Sequence, residues 1–142
     1  MAVHLVSLAE DTPVRETLET TRLLEERVRM NVDCVHVNML YPPFAEDPAV
    51  NAALDRLKTP RGVRPQTKGV PPLSDQRAQA LFACGAFYRD RRAIQQEQRQ
   101  KLIEGLGGTA SVIDLPFLFG EGFAAKELDL LADAIEDTMS QT

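Results

Sequence analysis

The sequence predicts an α/β fold, a partial parallel sheet of about three strands with flanking helices, and three features carry that expectation. Short apolar, β-branched runs open near Val3, Asp33 and Thr109. Stretches with helical spacing of apolar residues separate them. Residues 3–38 read as a strand, crossover helix, strand unit, and such a crossover implies parallel strands joined with a right-handed connection.

Val3-His4-Leu5-Val6-Ser7-Leu8 is too short for a helix and stops at Ala9-Glu10-Asp11, so it reads as a strand. Thr12 as N-cap, Pro13 at the first helical position and Glu16 in the first turn then predict a helix beginning at Pro13. Val14, Leu18, Thr21, Leu24 and Val28 lay one apolar stripe along it, opposite a charged face of Arg15, Glu19, Arg22, Glu26 and Arg29. The next strand is Asp33-Cys34-Val35-His36-Val37-Asn38, broken by Met39-Leu40-Tyr41-Pro42-Pro43. Such a strand delivers Asn38 to its carboxyl end, the rim at which open α/β sheets bind ligands. The Asn38 amide offers a donor and an acceptor in one plane, the pair that reads an adenine edge. Asn is equally a turn former at that position.

Residues 41–73 form a Pro-rich, basic insertion in what is otherwise a single α/β domain over 1–142. A short helix is expected at Asp47–Leu57, and Lys58 to Pro72 carries Lys58, Arg61, Arg64 and Lys68 with no acidic residue. That stretch is either a solvated loop or a strap that orders on an acidic partner or on phosphates. Ser74 starts the longest helix, expected to run to about Glu104 and to stop at Gly105, Gly107 and Gly108. Its first part (Leu81, Phe82, Ala83, Cys84, Ala86, Phe87, Tyr88) is densely apolar and expected in the core; its second is polar, with Ile94, Leu102 and Ile103 as anchors. Between them Arg89-Asp90-Arg91-Arg92 is a solvated face or, more weakly, a partner or phosphate contact through Arg89, Arg91 and Arg92. Thr109 to Leu115 is the third strand, ended by Pro116. Phe117 to Phe123 is a Gly- and Phe-rich loop, and Leu128, Leu131, Ile135 and Met139 line one face of a last helix.

A chain of 142 residues with 44% hydrophobic and 26% charged residues fits one ordinary soluble domain. Its net charge of -5 and pI near 5.0 argue against general nucleic-acid binding, no run is long enough to span a membrane, and a cytoplasmic location is expected. Cys34 and Cys84, fifty positions apart, are expected to be reduced, buried and quiet. His4 and His36 lie inside strands, with no thiol or carboxylate spacing seen to complete a ligand set, so no metal site is expected of this chain alone. No Gly-x-x-x-x-Gly-Lys-Ser/Thr, Gly-x-Gly-x-x-Gly or Gly-x-Ser-x-Gly motif occurs, and no catalytic residue can be nominated. The carboxylates Glu10, Asp11, Asp114 and Glu121 near strand ends are acid-base candidates only in the weakest sense.

Val-Ser-Leu-Ala-Glu-Asp-Thr-Pro-Val-Arg-Glu-Thr at 6–17, Val-His-Val-Asn at 35–38, a helix holding Arg89 to Gln98, and Leu-Pro-Phe-Leu-Phe-Gly-Glu-Gly-Phe at 115–123 occur in an order that resembles the carboxyl-terminal half of ArsA-type ATPases. That family of deviant-Walker P-loop dimers includes the arsenite-pump ATPase and the targeting ATPases for tail-anchored proteins. The resemblance implies half of such a fold, with Asn38 and the Leu115-Pro116-Phe117 loop against adenine. It implies ATP or ADP with Mg²⁺ held mainly by a separate P-loop-bearing chain, because the family's phosphate loop and switch regions have no counterpart in this sequence. The paired-cysteine metal motif of some relatives is reduced to Cys84. The expected protein is therefore the adenine-side subunit of a split ArsA-like ATPase, a hetero-oligomer with room for a further protein client. A non-catalytic adaptor that keeps the fold without binding nucleotide is the alternative, and a free-standing small Rossmann-like enzyme the third reading.

Overall fold

A computed structural model describes residues 2–43, 47–58, 73–120 and 124–139. Strands β1 (His4–Leu8), β2 (Cys34–Leu40) and β3 (Ser111–Pro116) form one parallel sheet in the order β1-β2-β3. The helices, in chain order, are α1 (Asp11–Leu23), α2 (Pro48–Leu57), α3 (Asp75–Leu106) and α4 (Ala125–Met139). The α/β class and the three-stranded parallel sheet are as the sequence predicts. The chain divides into two compact units, Met1–Tyr41 with Ala93–Thr142, and Pro42–Arg92, the sheet belonging to the first. No helix among the described residues is long and apolar enough to cross a membrane.

In the sheet unit, register fixes which side chains share a face. Leu5, Val35 and Val112 are partners, followed by Ser7, Val37 and Asp114; the opposite face carries His4, Cys34 and Ser111, then Val6, His36 and Ile113. Strand order runs in one direction, so right-handed crossovers bring both connecting helices to the same face. That face is the core: Val35 and Val37 pack with Val14 of α1 and with Leu102 and Leu106 of α3. The other face is covered at β3, against which α4 packs and where Ile113 is buried. Over β1 it lies open, with Val6 68% exposed. Asp33 ties the strand entries together: its N–H donates to Val3 O (2.8 Å), its carboxylate accepts the Val3 N–H (3.1 Å), and its carbonyl accepts the Ser111 N–H (3.0 Å).

Several boundaries differ from expectation for local reasons. Helix α1 starts at Asp11, with Glu10 rather than Thr12 at the N-cap, so Pro13 sits within the first turn, where its missing N–H costs nothing. After Leu23 the helix widens into a π turn, Leu24–Val28, closed by Arg29 in a left-handed conformation. The wider turn rotates later residues off the apolar stripe, and Val28 is exposed. Gly105 lies inside α3 instead of ending it; a Cβ there would meet the Leu18 side chain, so this glycine lets α3 approach α1 closely. Gly107 and Gly108, both with positive φ, end the helix as expected. Cys34 is buried but Cys84 is exposed, contrary to expectation, and Leu128 of α4 points to solvent while Leu131 and Ile135 are half-buried. The Met139 side chain lies outside what is described.

The largest difference concerns α3. Leu81 and Phe87, from its apolar part, are exposed, whereas Gln95, Gln98, Leu102 and Leu106 from its polar part are buried. Those four recur at steps of three, four and four and form one helix face, which two glutamines conceal in the sequence.

In the second unit, Asp47 caps α2 by accepting the Ala49 N–H (2.7 Å), and Leu54 and Leu57 pack with Ala78. Gly85 leaves space that the Leu54 side chain fills. Lys58 pairs with Asp55 at 2.8 Å, a hydrogen bond that holds the Asp55 carboxyl below its ordinary value.

Candidate functional site

Strand β2 does not stop at Asn38. It continues to Leu40, and its pairing with β3 slips between Val37 and Leu40 while Met39 adopts φ +61°. This is a bulge with a non-glycine residue in the left-handed region, a strained arrangement worth about 1–3 kcal/mol. Two contacts hold it. The Asn38 Oδ1 accepts the Met39 N–H at 2.9 Å, and Gln95 of α3 spans the bulge from the core side. Gln95 Nε2 donates to Met39 O (2.9 Å) and Gln95 Oε1 accepts the Tyr41 N–H (2.8 Å). Gln95 was not visible as a positioning residue; its one sequence signal is the helical spacing to Leu102.

Beside the bulge, at the carboxyl ends of β2 and β3, lies a cleft of about 360 Å³ lined by Asn38, Met39, Pro116, Phe117, Leu118 and Leu131. Its lip is rigid. The Phe117 N–H donates to Leu40 O (2.7 Å), and the Phe117 ring packs on Tyr41 (5.1 Å between centroids) and edge-on to Phe119 (4.8 Å). Asn38, Pro116 and Phe117 thus meet at one cleft, whereas Leu115, the fourth residue expected there, is half-buried in β3 and is not among its lining residues. Met39, Leu118 and Leu131 also line it, although the sequence offers none of the three as a site residue. The Phe117 amide, expected to serve a ligand, is already committed to Leu40.

The other candidates lie elsewhere. Arg89, Arg91 and Arg92 are half-buried on the part of α3 that belongs to the second unit, and Arg89 acts electrostatically on Asp55. Asp114 accepts two hydrogen bonds from Arg99 Nε (2.6 and 2.8 Å), which makes it a brace between β3 and α3. Glu10 stands at the N-cap position of α1 and Asp11 in its first turn. Glu121, Phe123 and the basic stretch 59–72 lie outside the described residues.

At the opposite end of β2, the sheet does what the sequence did not announce. His4 pairs in register with Cys34, and Cys34 and His36 are two apart on one strand, so all three side chains share the open face. His4 Nδ1 and His36 Nε2 stand 3.1 Å apart, and the Cys34 thiol lies with them such that all three donor atoms fall within 4.8 Å of one another. The thiol expected to be missing from the imidazole pair is therefore present.

Burial, and secondarily the neighbouring His4, lower the His36 pKa from 6.5. As pH falls below 6.5 the unfolded chain takes up this proton before the folded one, so stability is lost between that pH and the lowered folded value. Wild-type protein should therefore lose more of its urea midpoint between pH 7.5 and 5.5 than His36→Gln does. Parallel pH profiles would contradict this.

No family model matches the chain, and no curated protein matches it.

Proposed function

We propose that the cleft beside Asn38 receives a purine base and that the chain is the adenine-side subunit of a split ArsA-like ATPase. The observation that carries this reading is the meeting of Asn38 with the Pro116-Phe117 lip at the carboxyl rim of a parallel sheet. The cleft has the volume of small-ligand sites and the mixture such sites use, apolar walls with a single planar amide. Asn38 would read the adenine edge, Pro116 and Phe117 would flank the ring, and phosphates with Mg²⁺ would be held by a P-loop-bearing partner. Strand β1 offers that partner a place, since among the described residues no strand pairs with its outer edge and a groove lined by Val6, Leu8, Pro13 and Thr17 runs beside it. No phosphate-binding loop motif occurs in the 142 residues, so in this reading the hydrolytic chemistry comes from the partner.

One observation favours the adaptor reading instead: the Asn38 acceptor already serves the Met39 N–H, as a residue kept only for the bulge would. Titration of a fluorescent ATP analogue separates the two. The chain mixed with a P-loop-bearing half is expected to bind at least about tenfold more weakly as Asn38→Ala, the worth of a bidentate base contact. Equal affinity of wild type and Asn38→Ala would remove the base-reading role, and no nucleotide binding by the wild-type mixture would favour the adaptor.

A further inference from the structure

We infer that His4, Cys34 and His36 form a zinc site, with three protein ligands on the open face of the sheet and the fourth position left to water or an exogenous donor. The backbone sets the geometry. Direct register partnership of His4 and Cys34 and same-face placement of Cys34 and His36 hold the three Cα atoms in a fixed triangle, so no loop must order for the donors to converge. Tetrahedral zinc with Zn–N near 2.0–2.1 Å and Zn–S near 2.3 Å requires donor separations of about 3.3–3.6 Å. The two imidazole nitrogens are already 3.1 Å apart, and the widest separation in the set, 4.8 Å or less, closes by side-chain rotation.

Donor chemistry narrows the ion. Two imidazoles and a thiolate are borderline-to-soft ligands, which disfavour the oxygen-seeking magnesium and calcium; copper also accepts this set, and zinc is the redox-inert ion that takes it in tetrahedral form with one position open. Facing ring nitrogens at hydrogen-bond distance can share one proton or one metal ion but cannot both be protonated. Zinc takes the place of that shared proton, which moves to the far nitrogen of the imidazole that carried it, and of the thiol proton, which is released to solvent and leaves a thiolate on the ion. Access comes from the open face: His4 and Val6 are exposed, whereas Cys34 is buried between the neighbouring strands. A site with three protein ligands and solvent at the fourth keeps the open position of zinc centres that bind or activate a ligand. The inference does not rest on nucleotide binding and stands if the chain binds no ATP.

The test uses the full chain, without a polyhistidine tag, freed of metal by chelation. Calorimetric titration should find one Zn²⁺ per chain, and Co²⁺ in its place should show thiolate-to-metal charge transfer in the near ultraviolet. His4→Ala, at an exposed position of the edge strand, leaves the core untouched and should weaken Zn²⁺ binding by roughly tenfold or more. Cys34→Ser should abolish the charge-transfer band; should that variant fail to fold, His36→Ala provides the second ligand deletion, with a loss similar to that of His4→Ala. Zn²⁺ affinity unchanged in His4→Ala, or a Co²⁺ complex of the wild type with no thiolate band, would overturn the assignment.

Discussion

Gln95→Leu is expected to lower the unfolding free energy by about 2–4 kcal/mol, although it places an apolar residue of similar size at a buried position. The wild-type side chain serves Met39 O, inside the slip between Val37 and Leu40, and the Tyr41 N–H, just past the end of the strand, at once. Leucine removes the hydrogen bonds that Gln95 gives to both groups, and losing such a bond at a buried site costs about 1–3 kcal/mol each, less whatever water or a neighbouring group recovers. Hydrophobic gain offsets part of this, because Gln95 is already 6% exposed and leucine would bury about as much area. The urea midpoint measures the change; a midpoint within about 0.5 kcal/mol of wild type would mean that the bulge does not depend on Gln95. The variant also bears on the cleft. The bulge sets where Asn38 stands relative to Pro116, so a chain that loses the clamp and still folds should lose whatever ligand binding Asn38 supports.

Strand and helix order were legible because binary pattern and punctuation agree with the fold. Asn31 precedes β2, Ser74 stands at the start of α3, and Gly107 and Gly108 end it where their free backbone is needed. Asn38 and the Pro116 loop came together because parallel strands in one sheet bring their carboxyl ends to one rim, so a prediction of topology was also a prediction of the cleft. Three things did not follow. The bulge at Asn38-Met39 depends on a partner 54 residues or more away, Gln95, and no local signal marks it. The His4-Cys34-His36 set does not show as a ligand spacing along the chain: on a strand the relevant interval is two, and the third donor is supplied by register across the sheet. The inverted burial of α3 has no counterpart in hydropathy along the helix, because its buried residues line up only around the axis and two of them are glutamines.

That inversion gives the largest stability difference expected within one helix. Leu102 is fully buried, facing Val35 and Val37 from the polar-looking end of α3, while Ile94, eight residues earlier, is 48% exposed. Leu102→Ala removes a side chain from a packed layer between sheet and helix, where large-to-small substitutions cost about 2–5 kcal/mol because the lost transfer energy adds to that of the cavity. Little relief by collapse is expected. The facing strand is central, and Gly105 already seats α3 close against Leu18 of α1. Ile94→Ala removes a comparable side chain where solvent reaches half of it, and alanine's better helix propensity returns a few tenths, so the net cost should stay below about 1 kcal/mol. Paired urea unfolding curves with equal slopes decide between the two descriptions of α3. A Leu102→Ala cost no greater than that of Ile94→Ala would mean that the glutamine-bearing face does not cover the sheet, and with it would go the clamp on which the Asn38 cleft depends.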